Sequence, residues 1–328
     1  MMKLHHLMEN FDLARFALEH YPHDESSLPH TLPFFRISAN AVYPYRNNNT
    51  LCFLRLAPAD EKKTADIEAE IQFIQALRSQ GFPAMQPIAA LDGRFVLPLA
   101  TPWGIYTASS FAAVPGRPME DTACTPAMLH KMGSTLARLH LLSRNIHVQR
   151  PDHREMMTRI RRQLTENNAP AAILDAWQHI DNRLQALPVN PETYGLLHYD
   201  FEPDNVFWHE ETKSCAVIDF DDALYGWFSM DVEQALNALQ EITDDTGCAA
   251  FMDGYRSIGP FTAAMEAQRP LMRAFINLRS YARLLHCLND PMETLPPWMP
   301  GLIEKLNRKK EQLEAWLLSA RRTNLLSK

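Results

Sequence analysis

Three side chains suited to handling a phosphoryl group lie close together in the chain. Residues 196–208 read LLHYDFEPDNVFW, and residues 215–223 read CAVIDFDDA. In the first stretch an apolar run enters a polar loop carrying His198, Asp200 and Asn205. In the second an apolar strand ends at Asp219, with Asp221 and Asp222 behind it. Two short strands joined by a turn bring their ends together, which gathers Asp200, Asn205 and Asp219 around one small volume. Phosphoryl transfer needs such a set: one carboxylate orients the attacking hydroxyl and accepts its proton, and oxygen ligands hold a magnesium ion that bridges phosphate oxygens. Asp200 fits the base, and Asn205 and Asp219 fit the metal ligands. Asp221 either helps hold a second metal or supports the loop, while Asp222 reads as a solvated charge. His198 reads as structural, its imidazole tying the loop backbone.

The spacing His-x-Asp-x-x-x-x-Asn, followed by an Asp at a strand end, is the pattern of kinase-like enzymes. It resembles most closely the aminoglycoside phosphotransferase and choline kinase-like family. LARLH at 136–140 and the segment SANAVYPYRNNNTLCFLRL are also similar to that family, so the resemblance runs from about residue 30 to 240. It implies an α+β, protein-kinase-like two-lobed fold. Residues 1–112 would form an antiparallel-sheet lobe with one helix, and residues 113–328 a larger helical lobe with the catalytic loop and the acceptor site. ATP and Mg2+ would be the cofactors, with adenine against the backbone of Ser110, Phe111 and Ala112. No G-x-G-x-x-G loop is present, so Asn40 and the backbone of Ser38–Ala41 would cover the phosphates. Tyr199 departs from the family's glycine, and so does Asp204. Glu202 stands where protein Ser/Thr kinases carry Lys, which points to a small acceptor. Together with Asp204 and Asp222 it suggests a cationic one.

The elements that must position these groups are also readable. In ADIEAEIQFIQALRSQG the residues Ile67, Ile71, Ile74 and Leu77 form one apolar stripe of a helix, which Gly81 and Pro83 terminate. Glu70 lies about 45° from the centre of that stripe at about 100° per residue. A carboxylate so placed needs a partner, and the cation of the TLCFLRL strand is Arg55. An Arg55–Glu70 pair follows, steadying the non-transferred phosphates where the family often has Lys. Arg keeps the charge and grips bidentately, but is not equivalent to Lys. RNNN between FRISANAVYPY and TLCFLRL predicts a tight hairpin turn, because Asn tolerates left-handed backbone. Helices are predicted over 1–21, 126–142, 153–186 (one or two), 230–241, 268–288 and 301–321. His140 falls on the apolar stripe of its helix as a core histidine, and Asp231 either caps a helix or braces the catalytic loop.

Composition narrows the alternatives. With 46% hydrophobic and 22% charged residues the 328-residue chain is an ordinary globular one. A net charge of -7 gives no basic footprint for nucleic acid or an anionic membrane. No run reaches the roughly 18 apolar residues of a membrane span, and the first residues lack the features of a signal peptide, so a cytoplasmic location is expected. Five scattered cysteines, none in a C-x-x-C pair, argue against disulfides and a zinc site. The expected partner is a small-molecule hydroxyl acceptor: an aminoglycoside, an amino alcohol, a hydroxy amino acid or a sugar. A bacterial protein Ser/Thr kinase and a regulatory pseudokinase are the alternatives on the same fold. No activation segment follows IDFDD, which counts against the first. The retained Asp200, Asn205 and Asp219 count against the second.

Overall fold

The computed structural model describes residues 2–290 and 295–322. Helix α1 (Phe11–Leu18) and a single turn α2 (Leu28–Thr31) lead into β1 (Arg36–Ile37), β2 (Ala41–Asn47) and β3 (Thr50–Pro58). Helix α3 (Thr64–Ser79), β4 (Gln86–Ile88), β5 (Val96–Thr101) and β6 (Gly104–Ala112) follow. The strands run in the order β1-β2-β3-β6-β4, with β5 also paired to β6, and all pairings are antiparallel. The β2–β3 turn falls at Asn48 and Asn49, with φ of +48° and +63°. Two consecutive left-handed residues make the turn whose twist matches its strands. The Asp24 carboxylate accepts both of their amides, each at 3.1 Å.

The remainder is mainly helical. It comprises β7 (Arg117–Pro118), α4 (Pro126–Ser143), α5 (His153–Glu166), α6 (Ala171–Ala186), β8 (Tyr194–Leu196), β9 (Val206–His209), β10 (Ser214–Val217) and β11 (Tyr225–Trp227). Helices α7 (Phe228–Leu239), α8 (Asp245–Arg256), α9 (Ala263–Leu288) and α10 (Met299–Arg322) complete it. The β9–β10 hairpin and the β8–β11 pair frame the polar loops around Asp200 and Asp219. Helices α4 and α8 meet at glycines: a Cβ on Gly254 would lie 1.9 Å from the His130 carbonyl oxygen.

Packing explains how the two parts hold together. The stripe Ile67, Ile71, Ile74 and Leu77 of α3 is buried with Leu129 and Leu136 of α4, with Val217 of β10 and with Phe220 of the second polar loop. One apolar cluster thus runs from the sheet's helix to the back of the catalytic segments. A second joins α5, α6, α9 and α10 around Trp227. The end of α3 follows its residue types, with Gly81 at φ +72° and the Phe82 amide donating back to Leu77 O at 3.0 Å.

The structure differs from the sequence reading in four places. The first helix is shorter, because Asn10 caps it by accepting from the Leu13 amide at 2.8 Å. Residues before it instead bury Met2, Leu4 and Leu7 against Leu284, Cys287, Met299 and Leu306. The strand expected over 35–45 is split by a turn in which the Ser38 amide donates to Asn40 O at 3.0 Å. Helix α8 was not anticipated, and α9 starts earlier, capped by Thr262 and continuing through Pro270. The cysteines are free, and among the described residues no helix is long and apolar enough to cross a membrane.

Candidate active site

The loop carrying Asp200 follows β8. His198 is fully buried and bonded at both ring nitrogens: Nε2 donates to Ile218 O at 2.9 Å, and Nδ1 accepts the Asp200 amide at 3.2 Å. These roles require the neutral Nε2–H tautomer, in keeping with burial, which pushes the pKa of His198 down against the opposing charge of Asp231. The ring thereby ties the Asp200 loop to the strand end carrying Asp219. Asp231, three residues into α7 and fully buried, accepts the amides of His198 and Tyr199 at 2.9 and 2.7 Å. Its carboxylate also takes Nε2 of the core residue His140 at 3.0 Å. Asp231 therefore braces the loop. Tyr199 has φ +61°, a left-handed backbone that side chains disfavour.

Asn205 Nδ2 donates to the Asp200 carbonyl and to Asp200 Oδ2, both at 2.9 Å. Its amide nitrogen is thus spent on Asp200, and among the described residues no donor is bonded to its Oδ1. Gln234 of α7 donates to Asp200 Oδ1 at 3.4 Å and to Glu202 Oε1 at 2.8 Å. Burial raises the Asp200 pKa well above the usual carboxylate range. The charges of Asp222, Glu202 and Asp219 add to the rise, and Arg283 opposes it. Asp219 also has a left-handed backbone, φ +61°, and its amide points at the Met85 sulfur, 3.2 Å away. Burial and the neighbouring Asp221 push its pKa up to about 7, against the pull of Arg55. A carboxylate held so far up is one for which a cation is the natural partner.

In the sheet lobe Arg55 of β3 grips Glu70 of α3 bidentately, Nη1 to Oε1 at 2.8 Å and Nη2 to Oε2 at 2.6 Å. Both are buried, at 5% and 0% exposure, so neither charge is left to solvent. Arg55 also donates to Ser109 Oγ at 3.3 Å and lies 4.9 Å from the centroid of the Phe111 ring. Asn40, almost fully buried, donates to Asp221 Oδ2 at 3.1 Å. Ser110, Phe111 and Ala112 lie inside β6, registered with β3 on one side and β4 on the other. The Ser110 hydroxyl bonds that of Tyr45 at 2.7 Å. The sheet thus consumes the backbone of these three residues.

Besides Gln234, four charged contributors escaped the sequence reading. Lys62, in the loop between β3 and α3, forms an ion pair with Asp221. Burial alone would raise the Asp221 pKa, but Lys62 and Arg55 pull it far below the usual range. Arg150 clamps the second loop from outside, donating to the carbonyls of Asp221, Ala223 and Asp66. Arg279 and Arg283 of α9 each donate to one oxygen of Asp222, at 2.7 and 2.6 Å. Asp222 is therefore not the solvated charge expected. Burial opposes its ionisation, yet the two guanidiniums hold its pKa well below the usual range. The inference of a cationic acceptor weakens with it, since Asp204 also lies 3.6 Å from Arg36. Lysine and arginine in polar runs carry no local signal of such long-range pairing.

The phosphotransferase enzyme family matches residues 42–271. The homoserine kinase of Azorhizobium caulinodans is 30% identical over 244 residues, covering 69% of this chain and 71% of that protein. Among solved structures, the amicoumacin kinase hAmiN in complex with AMP-PNP, Ca2+ and Ami superposes with a TM-score of 0.75 at 18% identity, covering 94% of each chain. The microcompartment-associated aminopropanol kinase gives 0.71 at 22% identity, covering 97% of this chain and 99% of that one. The fold is thus the kinase-like one, an antiparallel-sheet lobe on a helical lobe. With the family match spanning most of the sequence, the chain belongs to the phosphotransferase enzyme family and is a kinase-type enzyme.

Proposed function

We propose that the protein transfers the γ-phosphate of ATP, with Mg2+, to a hydroxyl of a small molecule. The observation that supports this is the bond from Asn205 to the Asp200 carboxylate, which joins a metal-ligand candidate to the proposed base, with the strand end before Asp219 tied to the same loop through His198. In the reaction the acceptor oxygen bonds the γ-phosphorus as the bond from that phosphorus to the β–γ bridging oxygen breaks. The bridging oxygen leaves on ADP with the electron pair, and the hydroxyl proton goes to Asp200. Gln234 and Asn205 fix the carboxylate's orientation from either side, so that it meets the hydroxyl without reorganising.

The donor set suits magnesium. The Asp219 carboxylate and Asn205 Oδ1 are hard oxygen ligands. When bound, the ion neutralises charge on the phosphate oxygens. Asp221 is the proposed ligand of a second ion, and the Lys62 ammonium supplies the cation beside it here. Arg55, held by Glu70, would face the non-transferred phosphates, and Asn40 would cover them. Since the sheet consumes the backbone of Ser110–Ala112 and the Ala113 amide donates to Leu51 O at 2.9 Å, we assign the adenine edge to the chain just beyond, at Val114. The lobe division is placed at 112/113.

The acceptor belongs to the small hydroxyl compounds that the relatives' names span, homoserine, aminopropanol and amicoumacin among them. The test is magnesium-dependent transfer from ATP across amino alcohols, hydroxy amino acids, aminoglycosides and sugars, with Asp200→Asn as control. Transfer to one class, lowered at least about 100-fold by the substitution while ATP still binds, is the expected result. Unchanged turnover in Asp200→Asn would remove the assigned base.

A further inference from the structure

Arg279 and Arg283 stand one helical turn apart on α9 and share a single carboxylate. Asp222 spends one oxygen on each, so the three side chains together carry one positive charge, which Asp200 and Asp221 offset from a distance, without a hydrogen bond to either guanidinium among the described residues. Arg279 is 9% exposed, and its guanidinium lies 4.4 Å from the ring centroid of Tyr199, the residue before the proposed base. Arg283 is more open, with 28% of its side chain exposed. Each guanidinium has five N–H donors. Among the described residues Arg279 uses only Nη2 and Arg283 only Nη1 as hydrogen-bond donors. A largely buried guanidinium with unmet donors and a net charge is costly unless an anion completes it. Asp222 cannot, since both of its oxygens are taken.

On the other side of Asp200 the charge is opposite. Among the described residues Glu202 is hydrogen-bonded only by the neutral amide of Gln234, at Oε1, with the Lys309 ammonium acting on it from farther away. The loop carrying the proposed base thus lies between a cationic pair and a carboxylate to which, among the described residues, no cation is directly bonded. We propose that Arg279 and Arg283 form a subsite for a carboxylate of the acceptor, and that the acceptor is a hydroxy amino acid whose ammonium faces Glu202. This rests on the reading of the site as a small-molecule kinase. Planar, forked guanidiniums suit a carboxylate, and charge-assisted bonds to both would fix the acceptor's hydroxyl relative to Asp200.

The experiment compares acceptors that differ by one group: L-homoserine, 3-aminopropan-1-ol (no carboxylate) and 4-hydroxybutanoate (no ammonium). L-Serine with ethanolamine and L-threonine with 1-aminopropan-2-ol extend the comparison to shorter skeletons. With saturating MgATP, kcat/KM should favour the carboxylate-bearing member of a pair by about 10- to 100-fold, the range expected of hydrogen bonds to a charged group. Arg283→Gln should collapse that ratio, chiefly through KM of the carboxylate-bearing acceptor. Arg279→Lys, which keeps the charge but not the fork, should lower it less. Because Arg279 is buried, the more open Arg283 carries the test should the other variant misfold. Equal or better transfer to the members lacking a carboxylate, or a ratio unmoved in Arg283→Gln, overturns the subsite while leaving the kinase reading intact. Transfer to none of these, nor to any aminoglycoside or sugar, overturns the kinase reading and the subsite with it.

Discussion

The Asp231 carboxylate accepts the backbone amide of Tyr199 at 2.7 Å, fixing a residue whose φ is +61°. A tyrosine in left-handed backbone is strained by roughly 1–3 kcal/mol, and such a conformation persists only where its surroundings impose it. Asp231 imposes it through two adjacent amides, and its bond to His140 holds the carboxylate in turn. The position of Asp200, the proposed base, thus depends on a fully buried carboxylate behind the loop.

Removing that brace tests the dependence. Asp231→Ala strands two buried amides and the His140 ring, and is expected to cost about 2–4 kcal/mol of stability. Asp231→Asn keeps one oxygen and should retain the fold while lowering kcat with KM for ATP little changed. Thermal unfolding and steady-state kinetics check both variants. A fully active Asp231→Ala enzyme would show that the loop holds its shape unaided.

Arg55 and Glu70 separate stability from binding. Arg55→Met leaves Glu70 buried and unpaired, at an expected cost of about 3–5 kcal/mol. The double variant Arg55→Met, Glu70→Leu should recover most of that stability, yet keep a raised KM for ATP. Denaturant unfolding with ATP titrations of the three proteins decides it. Recovered ATP affinity in the double variant would mean that the pair is only structural.

The pH profile reports the base. Transfer needs Asp200 ionised, and its pKa is raised, so kcat/KM should fall on the acid side at a pH above the ordinary Asp range. Burial is the largest cause and Glu202 one of the charges behind it. Glu202→Gln removes a negative neighbour, stabilises the ionised form and should move the acid limb to lower pH. A limb moving upward would contradict this arrangement of charges.

Asp219 predicts proton release. With its pKa near 7 in the absence of metal, it is partly protonated at neutral pH, whereas a magnesium ligand is deprotonated. Calorimetric Mg2+ titrations at pH 6.5, in buffers of different ionisation enthalpy, should show protons liberated, and Asp219→Asn should abolish the difference.

Glu61 predicts acid sensitivity where the chain's first residues join the sheet lobe to α9. Burial pushes its pKa up, but His286, the Lys3 amide and His6 overcome this and bring it from 4.5 down to about 2. A depressed carboxylate stabilises the fold above its unfolded pKa. That contribution is lost as pH falls from about 4.5 towards 2. Discounted for partial exposure it is worth about 1–2 kcal/mol. Glu61→Gln should lower stability at pH 7 and flatten its decline below pH 5, read from denaturant midpoints.

The sequence by itself determined whatever depends on neighbours along the chain. The spacing of Asp200, Asn205 and Asp219 named the chemistry, because two strand–loop segments joined by a hairpin need no distant partner to meet. The stripe of α3 turned Glu70 inward, since helical periodicity fixes which face is buried, and the Asn pair fixed the first hairpin through its backbone preferences. Only the tertiary structure decided what faces those segments. Asp222 reads as a solvated acid until α9, some 60 residues on, supplies Arg279 and Arg283. Lys62 reads as one more charge in a polar loop until the lobes bring it to Asp221. Ser110–Ala112 read as a strand with backbone to offer adenine, and only the fold shows that β4 and β3 take both sides of β6. Charge partners and sheet neighbours are chosen by packing across long separations, and no local period records them.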